Sequence, residues 1–344
     1  MKPNIYFFQW PSDLGGADTR LRDLIKLCAV DYNVTVVPND EFRLGEERWT
    51  SWMESIGVST ATMSALPEKL DGFAFSCCNF RLFSEKERLI GIKARGLKFI
   101  WANDMMWHTE AELSAIRQGL IDVVLYTSPF HAEKLHADVI AARPLQPMRI
   151  VKNYIDASHW PMITRPDRQP VMGKVSRPDV SKFSDDLPML WQSAAPLWKY
   201  DIMGWDEEVA KKFSWHQFDK RWKLRAPLEI PVSEWLAGVD VFCYNGSYSY
   251  IENQSRAVVE AQLSGMPVVA PSKWNFPNMV WNQRTGFLVD DLDSMRSAFE
   301  TLKNPDVRWR MDALARECAL RIWCDEREAK KEWHSLIAYA AEVR

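Results

Sequence analysis

The sequence predicts an α/β fold of two domains, each a parallel β-sheet covered by helices on both faces. Three observations carry that expectation. Short, nearly unbroken apolar runs alternate with helical stretches along the chain, the pattern of strands buried on both sides. With 344 residues, 47% of them hydrophobic, the chain can bury more than one core. Prolines at 161, 166 and 170 interrupt it near the middle and suit a linker.

Taken in order, residues 5–9 read as the first strand and 10–16 as a loop leading into a helix over 18–30. Gly15-Gly16 sits at the mouth of that helix. Two residues without Cβ atoms let a ligand come close and the first helical amides face a phosphate, although the pair also suits a plain tight turn. Strands follow over 33–38, 71–75, 97–102 and 123–127, with helices over 46–56, 84–95, 110–118 and 129–136. Ligands of parallel sheets collect at the carboxyl ends of the strands. Asn103, Asp104 and His108 fall in that place, where His108 also suits a capping role beside Thr109. The turn Asn153-Tyr154-Ile155-Asp156 closes the first half.

The second half opens with a strand over 171–175, and further strands are expected over 201–204, 239–243, 266–270 and 285–289. Arg177 and Lys182 leave the first of these on one short loop, so two cations can converge on one anionic group such as a diphosphate. Ser255 reads as the cap of a short helix that Gly265 and Pro267 stop. Glu252 precedes that helix and Glu260 rides on it. Eight positions would separate them widely around one continuous helix, so the spacing makes sense with Glu252 in the loop. The loop residues Asn253, Gln254 and Ser255 lead into the helix start, where free amides and the helix dipole attract an anion. Asp291-Leu292-Asp293 has only the outline of a metal motif; its place in a polar turn makes it the cap of a helix over 292–302, before helices over 307–322 and 326–343. Residues 198–225 interleave aromatic and basic groups. An amphipathic surface helix with buried Trp rings is the favoured reading of that stretch, and stacking on nucleic-acid bases the other.

Composition narrows the classes. A formal charge of -3 argues against bulk electrostatic binding to nucleic acid or acidic lipid. Six cysteines lie mostly in apolar segments without paired metal spacing, as core thiols of a reducing cytoplasm do. No signal peptide is read, and no apolar run approaches the roughly 18 residues that span a bilayer.

Glu252-x7-Glu260, followed by Ala261, Gly265, Pro267-Val268-Val269 and Thr285-Gly286-Phe287-Leu288-Val289, resembles the donor site of retaining GT-B glycosyltransferases of the GT4 type. Arg177 and Lys182 are similar to the Arg-x4-Lys pair of that site, and Asn153-x-Ile155-Asp156 to the turn that ends the family's N-terminal domain. The resemblance implies two Rossmann-like domains facing an interdomain cleft, over 1–156 and 157–325, with a terminal helix, 326–344, crossing back onto the first. It implies that Glu252 orients the donor sugar, Glu260 holds the ribose, Arg177 and Lys182 stabilise the leaving diphosphate, His108 meets the sugar, and Gly15-Gly16 admits the diphosphate. The loop departs from the family where Asn253-Gln254-Ser255 replaces the usual Gly and Phe, so the sugar's identity does not carry over.

The expected reaction moves a sugar from a nucleotide-diphosphate donor to an acceptor hydroxyl with retained configuration. No metal or cofactor is expected, because the cations and helix amides supply the counter-charge. The acceptor is a glycan, a lipid, a small molecule or a hydroxymethylated DNA base. The alternative is a GT-B-like protein that binds nucleotide sugars for a partner without transferring them.

Overall fold

The computed structural model describes residues 2–13, 15–166 and 168–343. Leu14, in the loop 10–16, and Asp167, in the expected linker, lie outside them. The chain divides into two compact units, Met1–Ile155 with Asp325–Arg344, and Asp156–Cys324.

The first unit is a seven-stranded parallel sheet: β1 (Asn4–Phe7), β2 (Asn33–Val36), β3 (Ser59–Thr60), β4 (Phe73–Cys77), β5 (Lys98–Ala102), β6 (Val123–Tyr126) and β7 (Met148–Ile150), in the order β3-β2-β1-β4-β5-β6-β7. Its helices are α1 (Gly16–Ala29), α2 (Glu47–Ser55), α3 (Phe80–Ser84), α4 (Lys86–Ala94), α5 (Glu110–Arg117) and α6 (Pro129–Ala142). β4 and β6 are buried at every position, which is why they read as continuous apolar runs. The edge strands β3 and β7 are too short to show a period, and the expected helix over 84–95 is α4, with the short α3 preceding it. The C-terminal helix Glu326–Glu342 places Trp333, Leu336, Ile337 and Ala340 on one face, in the same core as Phe7 and Phe75. The Trp333 and Phe75 rings meet edge-on at 5.3 Å.

The second unit is a six-stranded parallel sheet. Its chain order is β8 (Val171–Val175), α7 (Leu187–Ala194), β9 (Lys199–Met203), α8 (Glu207–Lys212), β10 (Trp222–Arg225), α9 (Val232–Ala237), β11 (Val241–Cys243), α10 (Arg256–Leu263), β12 (Val268–Pro271), β13 (Gly286–Val289), α11 (Leu292–Leu302) and α12 (Pro305–Trp323). The strand order is β10-β9-β8-β11-β12-β13. The stretch 198–225 is therefore not one surface helix but a strand, a single short helix and a second strand. Its rings build core: Trp222 stacks on Trp191 at 5.9 Å and Trp205 on Phe213 at 5.4 Å, while Trp215 stays half exposed. Of its cations, Arg225 pairs with Asp201, Lys212 with Asp185 and Arg221 with Asp219, while Lys211, Lys220 and Lys223 are exposed.

The proline-rich segment is likewise bound rather than loose. The Arg165 guanidinium is buried, donates to the Val239 carbonyl at 2.6 Å and lies 3.8 Å from Asp312, both in the second unit.

Candidate functional site

β8 and β11 are neighbours in the sheet but not in the sequence. From β8 the chain winds out through β9 to β10, then returns to β11 and winds the other way. The strand order thus reverses between β8 and β11, and loops diverging at such a reversal leave a crevice at the carboxyl ends of the strands. The loops that leave there are the ones carrying Arg177 with Lys182 and Glu252.

The loop after β8 is shaped locally. Asp179 caps the 3-10 turn Val180–Lys182, its carboxylate accepting from the Ser181 amide at 2.9 Å and hydroxyl at 2.6 Å. Burial works against the charge of Asp179, but Ser181, Arg177 and Lys182 outweigh it and hold the carboxyl below its ordinary value. Gly204, at φ 110°, lies so close to this loop that a Cβ would stand 2.0 Å from the Ser176 carbonyl oxygen.

The loop after β11 is anchored at its root. The Asn245 side-chain oxygen accepts from the Trp191 indole at 2.8 Å, and the Ser247 amide donates to the Ser181 carbonyl at 3.0 Å, which ties the two loops together. Glu252, 9% exposed, then meets Lys182: Nζ donates to Oε2 at 2.8 Å. The buried Tyr244 hydroxyl donates to the same Oε2 at 2.5 Å, and the Tyr250 ring lies over the Lys182 ammonium at 4.1 Å. Burial alone would lower the proton affinity of Lys182, but Glu252 and Tyr250 raise it above its ordinary value, so this lysine is charged. Arg177 is exposed and acts through space on Tyr250 and Asp179.

Glu260 sits one turn into α10, where its Oε1 accepts from Arg256 Nε at 2.7 Å. Ser255 stands at the N-cap of α10 and is buried, as is Asn253, whose side-chain oxygen faces Asn275 at 3.4 Å. Gln254 between them is half-buried. Beside this group, at the carboxyl ends of β11, β12 and β13, a cavity of about 480 Å³ is lined by Ser184, Asn245, Gly246, Tyr248 and Lys273 among others. Asp291 caps α11, accepting from the Ser294 amide at 2.8 Å, and Asp293 pairs with Arg296 at 3.0 Å.

In the first unit, Gly15 is the N-cap of α1 at φ 93°, and a Cβ on Gly16 would meet nothing within 4 Å. β1 and β4 flank a second strand-order reversal, and the loops after them carry Gly15 and Cys78. Asp104 pairs with the buried Arg20, and Asn103 holds the turn through Trp107. His108 does not stand open at the strand end. Its side chain is 1% exposed, packed 5.9 Å from the Trp101 ring and 3.5 Å from Asp138, and burial lowers its proton affinity. The helix cap is Thr109, in a reciprocal pair with Glu112. The imidazole is thus enclosed between the Trp101 ring and Asp138.

Sequence reading missed Tyr244 and Lys174. The signal for Lys174 was present, since a lysine in the middle of an apolar strand is rare unless it has work to do; Tyr244 reads as one more core aromatic.

Residues 171–304 match the family model of the glycosyl transferases group 1. No curated protein sequence matches the chain. Among solved structures it is similar to Anabaena HepE in complex with UDP-glucose, at 15% identity over 98% of this chain and 99% of that one with a TM-score of 0.71. It is similar also to a Rickettsia africae glycosyltransferase, at 10% identity over all of both chains with a TM-score of 0.71. A third is the sucrose-phosphate synthase of Thermosynechococcus elongatus, at 14% identity over 99% of this chain and 100% of that one with a TM-score of 0.70. The fold is that of the GT-B glycosyltransferases.

Proposed function

We propose that this protein transfers a sugar from a nucleotide-diphosphate donor to an acceptor hydroxyl. The observation that carries this reading is the Lys182–Glu252 contact, made across the strand-order reversal inside the segment that matches the glycosyl transferases group 1 model. The HepE structure holds UDP-glucose on the same fold, which supports a donor of that class.

In this reading Arg177 and Lys182 take the diphosphate and stabilise the charge it gains on leaving. Among the described residues Glu252 accepts from Lys182 and Tyr244 on Oε2, and Oε1 is the oxygen to accept from a sugar hydroxyl. Glu260 holds the ribose from α10, with Asn253, Gln254 and Ser255 bringing the helix amides to the phosphates. The proposed course is retention without a metal. The bond from the anomeric carbon to the phosphate oxygen breaks, the acceptor oxygen bonds to that carbon on the same face, and the departing phosphate takes the acceptor proton. The two cations fit a route in which side chains supply the counter-charge. The motif's spacing is shared with retaining GT4 enzymes, which supports retention.

A screen of UDP-, GDP- and ADP-sugars, with and without candidate acceptors, tests the reading, with the anomeric configuration of the product read by proton NMR. Turnover of one donor with retention is the expected result. An inverted product would end the proposed course, and tight binding without turnover would favour a nucleotide-sugar-binding role instead.

A further inference from the structure

Lys174 lies in the middle of β8, directly behind the group just described, and is 0% exposed. Its Nζ has no hydrogen-bond partner among the described residues. What surrounds it are π faces: the Tyr244 ring centre lies 4.2 Å away and the Phe183 ring centre 5.5 Å. An enclosed amine with no acceptor holds a proton poorly unless a negative charge comes near. Burial first, and then repulsion from Lys182, pull Lys174 down to about 7, against the opposing pull of Cys243 and Glu252.

The titratable groups facing it are few. Lys182 comes from the loop after β8, Cys243 and Tyr244 from the end of β11, and Glu252 from the loop beyond. Burial raises the proton affinity of Cys243 and Tyr244, so both stay neutral and the charges that matter are Lys182 and Glu252. These two are paired with each other. A diphosphate that draws Lys182 toward itself therefore does two things at once: it strips Glu252 of its counter-charge, and it offsets the repulsion that keeps Lys174 deprotonated.

We propose that Lys174 is a positioning residue which takes up a proton from solvent when the donor's diphosphate engages Lys182, so that an ammonium behind Tyr244 replaces the counter-charge Glu252 has lost and holds that side chain in place for the sugar. The inference rests on the functional reading above and adds to it a proton coupled to donor binding.

Calorimetric titration with UDP, GDP and ADP at pH 8, each in HEPES and in Tris, tests it, because the difference in heat between buffers of unlike ionisation enthalpy counts the protons exchanged. At that pH the free nucleotide is fully ionised and Lys174 largely neutral. Wild type should bind one of the three with net uptake of roughly half a proton or more. Lys174→Met and Lys174→Gln should each bind with uptake near zero, and either one suffices if the other fails to fold. Binding without proton uptake in wild type, or uptake unchanged in the variants, overturns the role of Lys174 alone. No binding of any of the three nucleotides overturns the functional reading and this inference with it.

Discussion

The Lys182 ammonium stands 2.8 Å from Glu252 Oε2 although seventy residues separate them in the chain. Each is mostly enclosed, with side chains 14% and 11% exposed, and the Glu252 carboxylate helps hold the proton on Lys182. Glu252→Gln keeps the shape and removes the charge. It should lower transfer about 10²- to 10³-fold with an unchanged circular dichroism spectrum. Lys182→Met leaves a buried carboxylate short of its partner and should cost up to about 3 kcal/mol in urea unfolding as well.

Arg177 is exposed, which separates its function from the fold. Arg177→Ala should leave the unfolding free energy within about 0.5 kcal/mol of wild type. Steady-state kinetics should nevertheless show kcat reduced by about 10²-fold, with a weaker salt dependence of donor binding. An unchanged rate would remove Arg177 from the site.

The two glycines before and at the start of α1 should behave differently. Gly15 has φ 93°, so Gly15→Ala forces a side chain into a left-handed backbone and should cost about 1–2 kcal/mol. A Cβ on Gly16 meets open space. Gly16→Ala should stabilise the helix by about 0.5 kcal/mol or more, and a rise in KM without loss of stability would mark close approach of a ligand there.

Lys174 should also write itself into the pH dependence of stability. Its folded-state value, about 7, lies below the ordinary 10.5. Between those two values the unfolded chain binds more protons, so this residue makes stability rise with pH across that window. The destabilisation is complete below about 7 and absent above the ordinary value. Lys174→Met should therefore raise the unfolding free energy most at pH 6, by an amount on the order of a few kcal/mol, and least at pH 10. An equal gain at both ends would sink the assignment.

Much of the first unit and of the donor-site segment was legible because the signals are local. The cap at Thr109, the break before Val268 at Gly265 and the cap at Asp291 are short-range matters of hydrogen bonding and backbone angle, and they stand within a residue or two of where periodicity put them. Residues 198–225 misled for a related reason. Trp198 and Trp205 stand seven apart, as two turns of a helix would space them, yet these rings and Trp222 share one core because two adjacent strands and a short helix bring them together. The position of His108 after β5 likewise says where its backbone is and nothing of whether Trp101 and Asp138 enclose its ring.

What the amino-acid order determined unaided were the alternating elements, their stops, and the places along the chain where Arg177, Lys182, Glu252 and Glu260 stand. Which of them touch was decided by the parallel sheet, because β11 returns to lie beside β8 after the chain has travelled out to β10 and back. That return sets Lys182 against Glu252, puts the Tyr244 hydroxyl on the same oxygen, and encloses Lys174 behind its ring. Desolvation and charge pairing act over a few ångströms of space, and no distance along a chain measures that.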